Sequence, residues 1–153
     1  MINTIHFGQL VIRPALEAIG LYSPEAEQLL LGTALQESRL TYLKQLGTGP
    51  ALGLFQMEPA THNDIWTNYL RYEPKLGQKV AQLAHFVAAE SMATDLLYAA
   101  AMCRVHYRRV SAPLPAFGDV YGQACYWKEY YNTYQGAGTA REYMEAWERT
   151  HGS

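Results

Sequence analysis

The chain has 153 residues, 49% of them hydrophobic and 17% charged, a balance that excludes a disordered or fibrous polymer. Fourteen acidic side chains against twelve basic ones leave a formal net charge of -2, so no overall field draws the chain toward nucleic acid. The length predicts one domain, residues 1–153, with a core of ordinary size.

Helical periodicity runs through most of the chain. Ile5 to Ile19 reads as a first helix with Leu10, Val11, Ala15 and Ile19 inward, bent or started late by Pro14 and ended by Gly20. Ser23 reads as an N-cap with Pro24 at the first helical position, opening a helix that runs to about Arg39. Gly47, Gly49, Pro50, Gly53 and Pro59 argue against helix over 46–59. A small β-hairpin or an irregular excursion is expected there. Thr61 and Asp64 resemble a capping pair for the next helix, which would bury Ile65, Trp66, Tyr69 and Leu70. From Pro74, the residues Leu76, Val80, Leu83, Ala84 and Val87 keep helical spacing. Thr94 to Arg109 is small and apolar enough to be the central buried helix, and Pro113 and Pro115 form a turn beyond it. Phe117 to Thr133 reads as a helix with Val120, Ala124, Trp127 and Tyr131 along one side. Thr139 with Glu142 is a capping-box signature for a last helix carrying Tyr143, Ala146 and Trp147. The fold class expected is mainly α, or α+β if the hairpin forms.

Several kinds of site have no support. Cys103 and Cys125 lack metal-ligand spacing and sit in apolar helical patterns, so buried free thiols are expected, with a disulfide as the alternative. The five histidines form no ligand cluster, and neither a metal nor a cofactor is expected. Arg104, Arg108 and Arg109 form a local basic group of the kind usually solvated on a helix surface. Met1 to Leu10 has no charged start followed by an apolar core, and no run reaches membrane-span length. A cytosolic product without a span is therefore expected.

One helical stripe is anomalous. Ala26, Leu30, Thr33, Ala34 and Glu37 fall on the same face at 100° per residue, so a small and apolar face ends in a carboxylate. An unpaired buried carboxylate is costly, and protonation relieves the cost by raising its pKa. The negative end of the helix dipole disfavours the ionised form further. A neutral carboxylic acid beside a cleft suits general-acid catalysis. The bland alternative is a helix-end Glu paired with Arg39 or Lys44.

Glu37-Ser38, followed by Gly53-Leu54-Phe55-Gln56-Met57 and then Pro59-Ala60-Thr61, resembles the lytic transglycosylases of the soluble lytic transglycosylase and goose-type lysozyme group. The resemblance is strong over 29–61 and weaker elsewhere. It implies a lysozyme-like fold and a peptidoglycan substrate, with Glu37 as the sole acid and base and 1,6-anhydro-muramoyl ends as the product. A hydrolytic muramidase and a non-catalytic lysozyme-like protein of a phage particle are the alternatives. It places Ser38, Gly53, Phe55, Gln56 and Met57 along the cleft, with one of Phe55 and Met57 in the core and the other flooring a sugar subsite. Family members often carry a later Ala-Tyr-Asn segment, for which Ala124-Cys125-Tyr126-Trp127 is the nearest match and Tyr126 the candidate. The pair Tyr131-Asn132 is the alternative alignment. Glu58 falls at a variable family position. The absence of an export signal at Met1 to Leu10 suggests a bacteriophage enzyme reaching the cell wall by lysis or with the virion, with a trimmed bacterial periplasmic enzyme as the alternative.

Overall fold

The computed structural model describes residues 1–132 and 136–151. Among them the chain is mainly helical, and no sheet forms. Asn3 caps α1 (Thr4–Phe7), and the helix runs on through a π-helical turn, Gly8–Ile12, into α2 (Arg13–Ala18). Pro14 has no N–H to donate, and the wider turn before it lets the helix continue past this missing bond. The wide turn also rotates the side chains. Leu10, expected inward, is 67% exposed, whereas Phe7, Ile12, Ala15, Leu16 and Ile19 are buried.

Ser23 opens α3 (Pro24–Ser38) by accepting the Ala26 N–H at 3.2 Å, with Pro24 at the first position. The stripe Ala26, Leu30, Thr33 and Ala34 is buried against α7 (Leu96–Arg108), α8 (Val120–Trp127) and α9 (Ala140–His151). Thr33 is tolerated there because its hydroxyl bonds the Leu29 carbonyl and the Tyr107 hydroxyl, both at 2.8 Å.

The chain reverses after Ser38 through two left-handed residues, Arg39 (φ 55°) and Leu40 (φ 51°), and Leu40 is buried. No β-hairpin follows. Leu52 makes isolated bridges to Lys44 and to Met57, and no strand extends from either. The reason is local: Gly53 to Gln56 close a tight turn through Gln56 N–H to the Gly53 carbonyl at 3.0 Å, and glycines and Pro50 interrupt the other arm.

The next helix, α4 (Pro59–Asn68), starts on Pro59. The expected Thr61–Asp64 cap is not used, because Asp64 takes Asn68 Nδ2 at 2.6 Å and Arg109 Nη1 at 2.8 Å. α5 (Pro74–Ala81) stops early. Turns follow in which His85 N–H donates to Asp95, and Val87 is exposed rather than inward. After α6 (Ser91–Thr94), α7 is the buried centre, with Tyr98 through Val105 shielded from solvent.

The basic group on α7 does not form a patch, since Arg104 is buried with Nε on the Leu21 carbonyl and Arg109 pairs with Asp64. α8 begins at Asp119, which accepts the Gly122 N–H, so Phe117 lies outside the helix and is 64% exposed. It continues as a π-helical turn, Lys128–Asn132; the expected end at Thr133 lies outside the described residues. Both thiols are free, but only Cys103 is buried and Cys125 is exposed. Thr139 accepts the Glu142 N–H to open α9, whose Tyr143 hydroxyl donates to the Leu29 carbonyl at 3.2 Å. No helix among the described residues is long and apolar enough to cross a membrane.

Candidate active site

The end of α3, the irregular excursion, the start of α4, the end of α7 and the π-helical turn after α8 enclose a cleft of about 810 Å³. Glu37, next to last in α3, lies in its wall. Burial of the stripe below carries the carboxyl inward, and among the described residues one donor reaches it: Trp127 Nε1–H on Oε2, at 2.9 Å. None of the ion pairs between described residues includes Glu37, so the bland alternative of a pair with Arg39 or Lys44 fails. Burial pushes the carboxyl up from its ordinary 4.5 to about 7, and the indole bond, which favours the ionised form, pulls part of the way back. Near neutrality both forms are populated. The group can give a proton to a leaving oxygen and take one back in the next step.

Ser38 also lines the cleft, though it is buried; its hydroxyl donates to the Leu54 carbonyl at 2.6 Å and thereby ties the end of α3 to the opposite wall. Gln56 and Met57 come from that wall. Gln56 has φ 50° and donates from Nε2 to the Gly53 carbonyl at 3.1 Å. Arg39, Leu40 and Gln56 are the non-glycine residues with positive φ among those described. Two of the three line the cleft, and such strain persists only where surrounding packing enforces it.

Three expected residues are not brought to the cleft. Gly53 has φ 77°, and a Cβ there would collide with the Met92 carbonyl oxygen. Its bare Cα serves the turn and the close packing on α6, not a ligand. Phe55 and Met57 are both buried in the core, Phe55 with its ring 5.9 Å from that of Phe7, and of the two only Met57 also borders the cleft. Tyr126 lies elsewhere: its hydroxyl donates to the Ala112 carbonyl at 3.0 Å, and its ring packs on Tyr107 and Tyr130. Tyr131 and Asn132, the alternative alignment, lie in the π-helical turn and line the cleft instead.

Tyr131 donates to the Phe55 carbonyl at 2.6 Å, stacks on Tyr107 and meets the His106 ring edge-on at 4.9 Å. His106, also in the wall, is held down to about 4 by burial and then by the charge of Arg109. It is therefore neutral at pH 7, and the Tyr130 carbonyl 3.1 Å from Nε2 fixes the proton on that nitrogen. Glu58 lines the same cleft as an exposed carboxylate. Among the described residues no group of three His, Cys, Asp or Glu side chains is placed to hold a metal ion.

No family model, curated protein or solved structure matches the chain. The chemistry open to the cleft follows from its own groups. Sequence reasoning missed Trp127 as a partner of the acid and His106 as a wall residue, and it set Glu58 aside as a variable family position. For Trp127 a signal did exist: a buried indole needs an acceptor, and Glu37 is a polar group ending an apolar stripe.

Proposed function

We propose that this protein is a lysozyme-like lytic transglycosylase that cuts the β-1,4 bond between N-acetylmuramic acid and N-acetylglucosamine in peptidoglycan. The observation that carries the reading is a buried carboxyl, raised to about 7 so that its acid and carboxylate forms are both populated near neutrality, in the wall of a cleft large enough for sugar rings. Protonated Glu37 gives its proton to the glycosidic oxygen as the bond from muramoyl C1 breaks through an oxocarbenium-like state. The carboxylate left behind takes the proton of the muramoyl C6 hydroxyl, whose oxygen closes onto C1 as a 1,6-anhydro ring. The substrate's acetamido oxygen shields the positive centre in place of a protein nucleophile. Gln56 lines the same cleft as the acid, where Tyr42 and Leu46 offer partly exposed flat and apolar surface.

A hydrolytic muramidase is the second reading, and Glu58 in the same cleft favours it by offering a base for water. Mass analysis of muropeptides released from purified sacculi separates the two, because anhydro ends are lighter by one water molecule. Wild type should release anhydro products and Glu37→Gln none. Equal release by both proteins, or none by either, would end the proposal.

A further inference from the structure

Trp127 is fully buried, and its Nε1–H reaches Oε2 of Glu37. An indole N–H can only donate. In a carboxylic acid the carbonyl oxygen is a better acceptor than the hydroxyl oxygen, so the acid form of Glu37 keeps its proton off Oε2. The other oxygen, Oε1, has no hydrogen-bond partner among the described residues, yet it is not sealed from solvent. We propose that Trp127 is a positioning residue, whose N–H holds Oε2 as a permanent acceptor and thereby assigns the transferable proton to Oε1, the oxygen open to the cleft. The role rests on the acid–base reading of Glu37.

The arrangement is built into the fold. The helix that carries Trp127, α8, packs directly on α3, and its indole rests on Tyr143 with ring centroids 5.6 Å apart. Gly138 lies beneath the far rim, where a Cβ would stand 2.6 Å from Cη2. The ring therefore has little room to turn its N–H away. The groups that face Glu37 leave the proton to this pair. Cys103 and Tyr107 of α7 and Tyr131 of the π-helical turn are uncharged, because burial pushes each upward, and His106 is neutral above about 4. Gln36, Ser38 and Gln56 do not titrate. Charge enters the cleft from Arg39 and Glu58 on its wall and from Lys128, which bonds Asn132 and Gly136 at the rim.

The test compares wild type with Trp127→Phe, which keeps an aromatic filling without the N–H. A second variant places 3-benzothienylalanine at position 127, where sulfur replaces the N–H at nearly constant shape. Carbon-13 NMR follows the Glu37 carboxyl, proton NMR follows the Trp127 indole N–H, and kinetics on soluble glycan strands give kcat and KM against pH. In wild type the indole resonance should stay hydrogen-bonded on both sides of the carboxyl midpoint. Both variants should raise that midpoint by about one pH unit or more. They should lower kcat about tenfold, with the alkaline limb following the new midpoint and KM within about twofold. An indole resonance that loses its bond in acid, or a midpoint and kcat unchanged in a folded variant, would overturn the role. The two NMR titrations need no substrate. Failure of wild type to cut glycan would therefore sink the function while the titrations still decide what Trp127 does to Glu37.

Discussion

Glu37→Gln should make the protein more stable in alkaline solution. In the unfolded chain the carboxyl ionises around its ordinary 4.5, whereas in the fold it holds its proton to about 7. Below 4.5 both states carry the proton and the site costs nothing in charge. Between the two values the unfolded chain ionises first, so stability falls as pH rises, and the full cost is present above about 7. That interval corresponds to roughly 3 kcal/mol at about 1.36 kcal/mol per pH unit. An amide keeps the shape, still accepts the Trp127 N–H through its oxygen, and never ionises. Urea denaturation of both proteins at pH 4 and pH 8.5 reads the effect. The two should agree at pH 4, and the variant should be more stable by roughly 2–3 kcal/mol at pH 8.5, equivalent to about 5–10 °C in Tm for a chain of this size. Curves that stay parallel across the range would show that Glu37 ionises freely in the fold, and the acid–base reading would lose its basis.

Other outcomes follow from single contacts. Tyr131→Phe removes the bond to the Phe55 carbonyl inside the cleft wall and should slow peptidoglycan cleavage about tenfold or more, whereas Tyr126→Phe should leave it within about twofold; sacculus turbidity assays on both variants check the assignment. Gly53→Ala should cost about 2–4 kcal/mol, since the left-handed backbone and the collision with the Met92 carbonyl act together; a melting temperature equal to wild type would refute it. His106 contributes with the opposite sign to Glu37. Its fold value of about 4 lies below the ordinary 6.5, so stability is lost as pH falls from 6.5 toward 4 and is fully present above 6.5. His106→Gln should flatten that acid limb of the stability curve measured by urea denaturation.

The candidate site was legible in sequence where chemistry and helical spacing coincide. Glu37 stood out because a helix rarely ends an apolar stripe in a carboxylate, and Ser38, Gln56 and Met57 came with it through the motif resemblance. The remaining wall, which includes the π-helical turn after Trp127, was less legible. Tyr126 was preferred because Ala124-Cys125-Tyr126-Trp127 is the nearest match to the family's Ala-Tyr-Asn segment, although helical spacing already set Tyr131 on the side of Trp127, and it is Tyr131 that lines the cleft. An error of phase did put Leu10 inside rather than Ile12, because both lie in the π-helical turn Gly8–Ile12 and a reading at 3.6 residues per turn cannot place a wider one.

What the residues determined by themselves is local: the Ser23–Pro24 start of α3, the Thr139 cap of α9, the buried small-residue run of α7 and the absence of helix over 46–58. These depend on hydrogen bonds and packing faces within a few residues of one another, which spacing alone reveals. Only the tertiary structure decided which groups meet Glu37. The Trp127 indole lies ninety residues further along the chain, and the desolvation that carries the carboxyl to about 7 is a property of the packed helices around it. Proton affinity at a buried site is set by what excludes water, and no stretch of sequence contains its own surroundings.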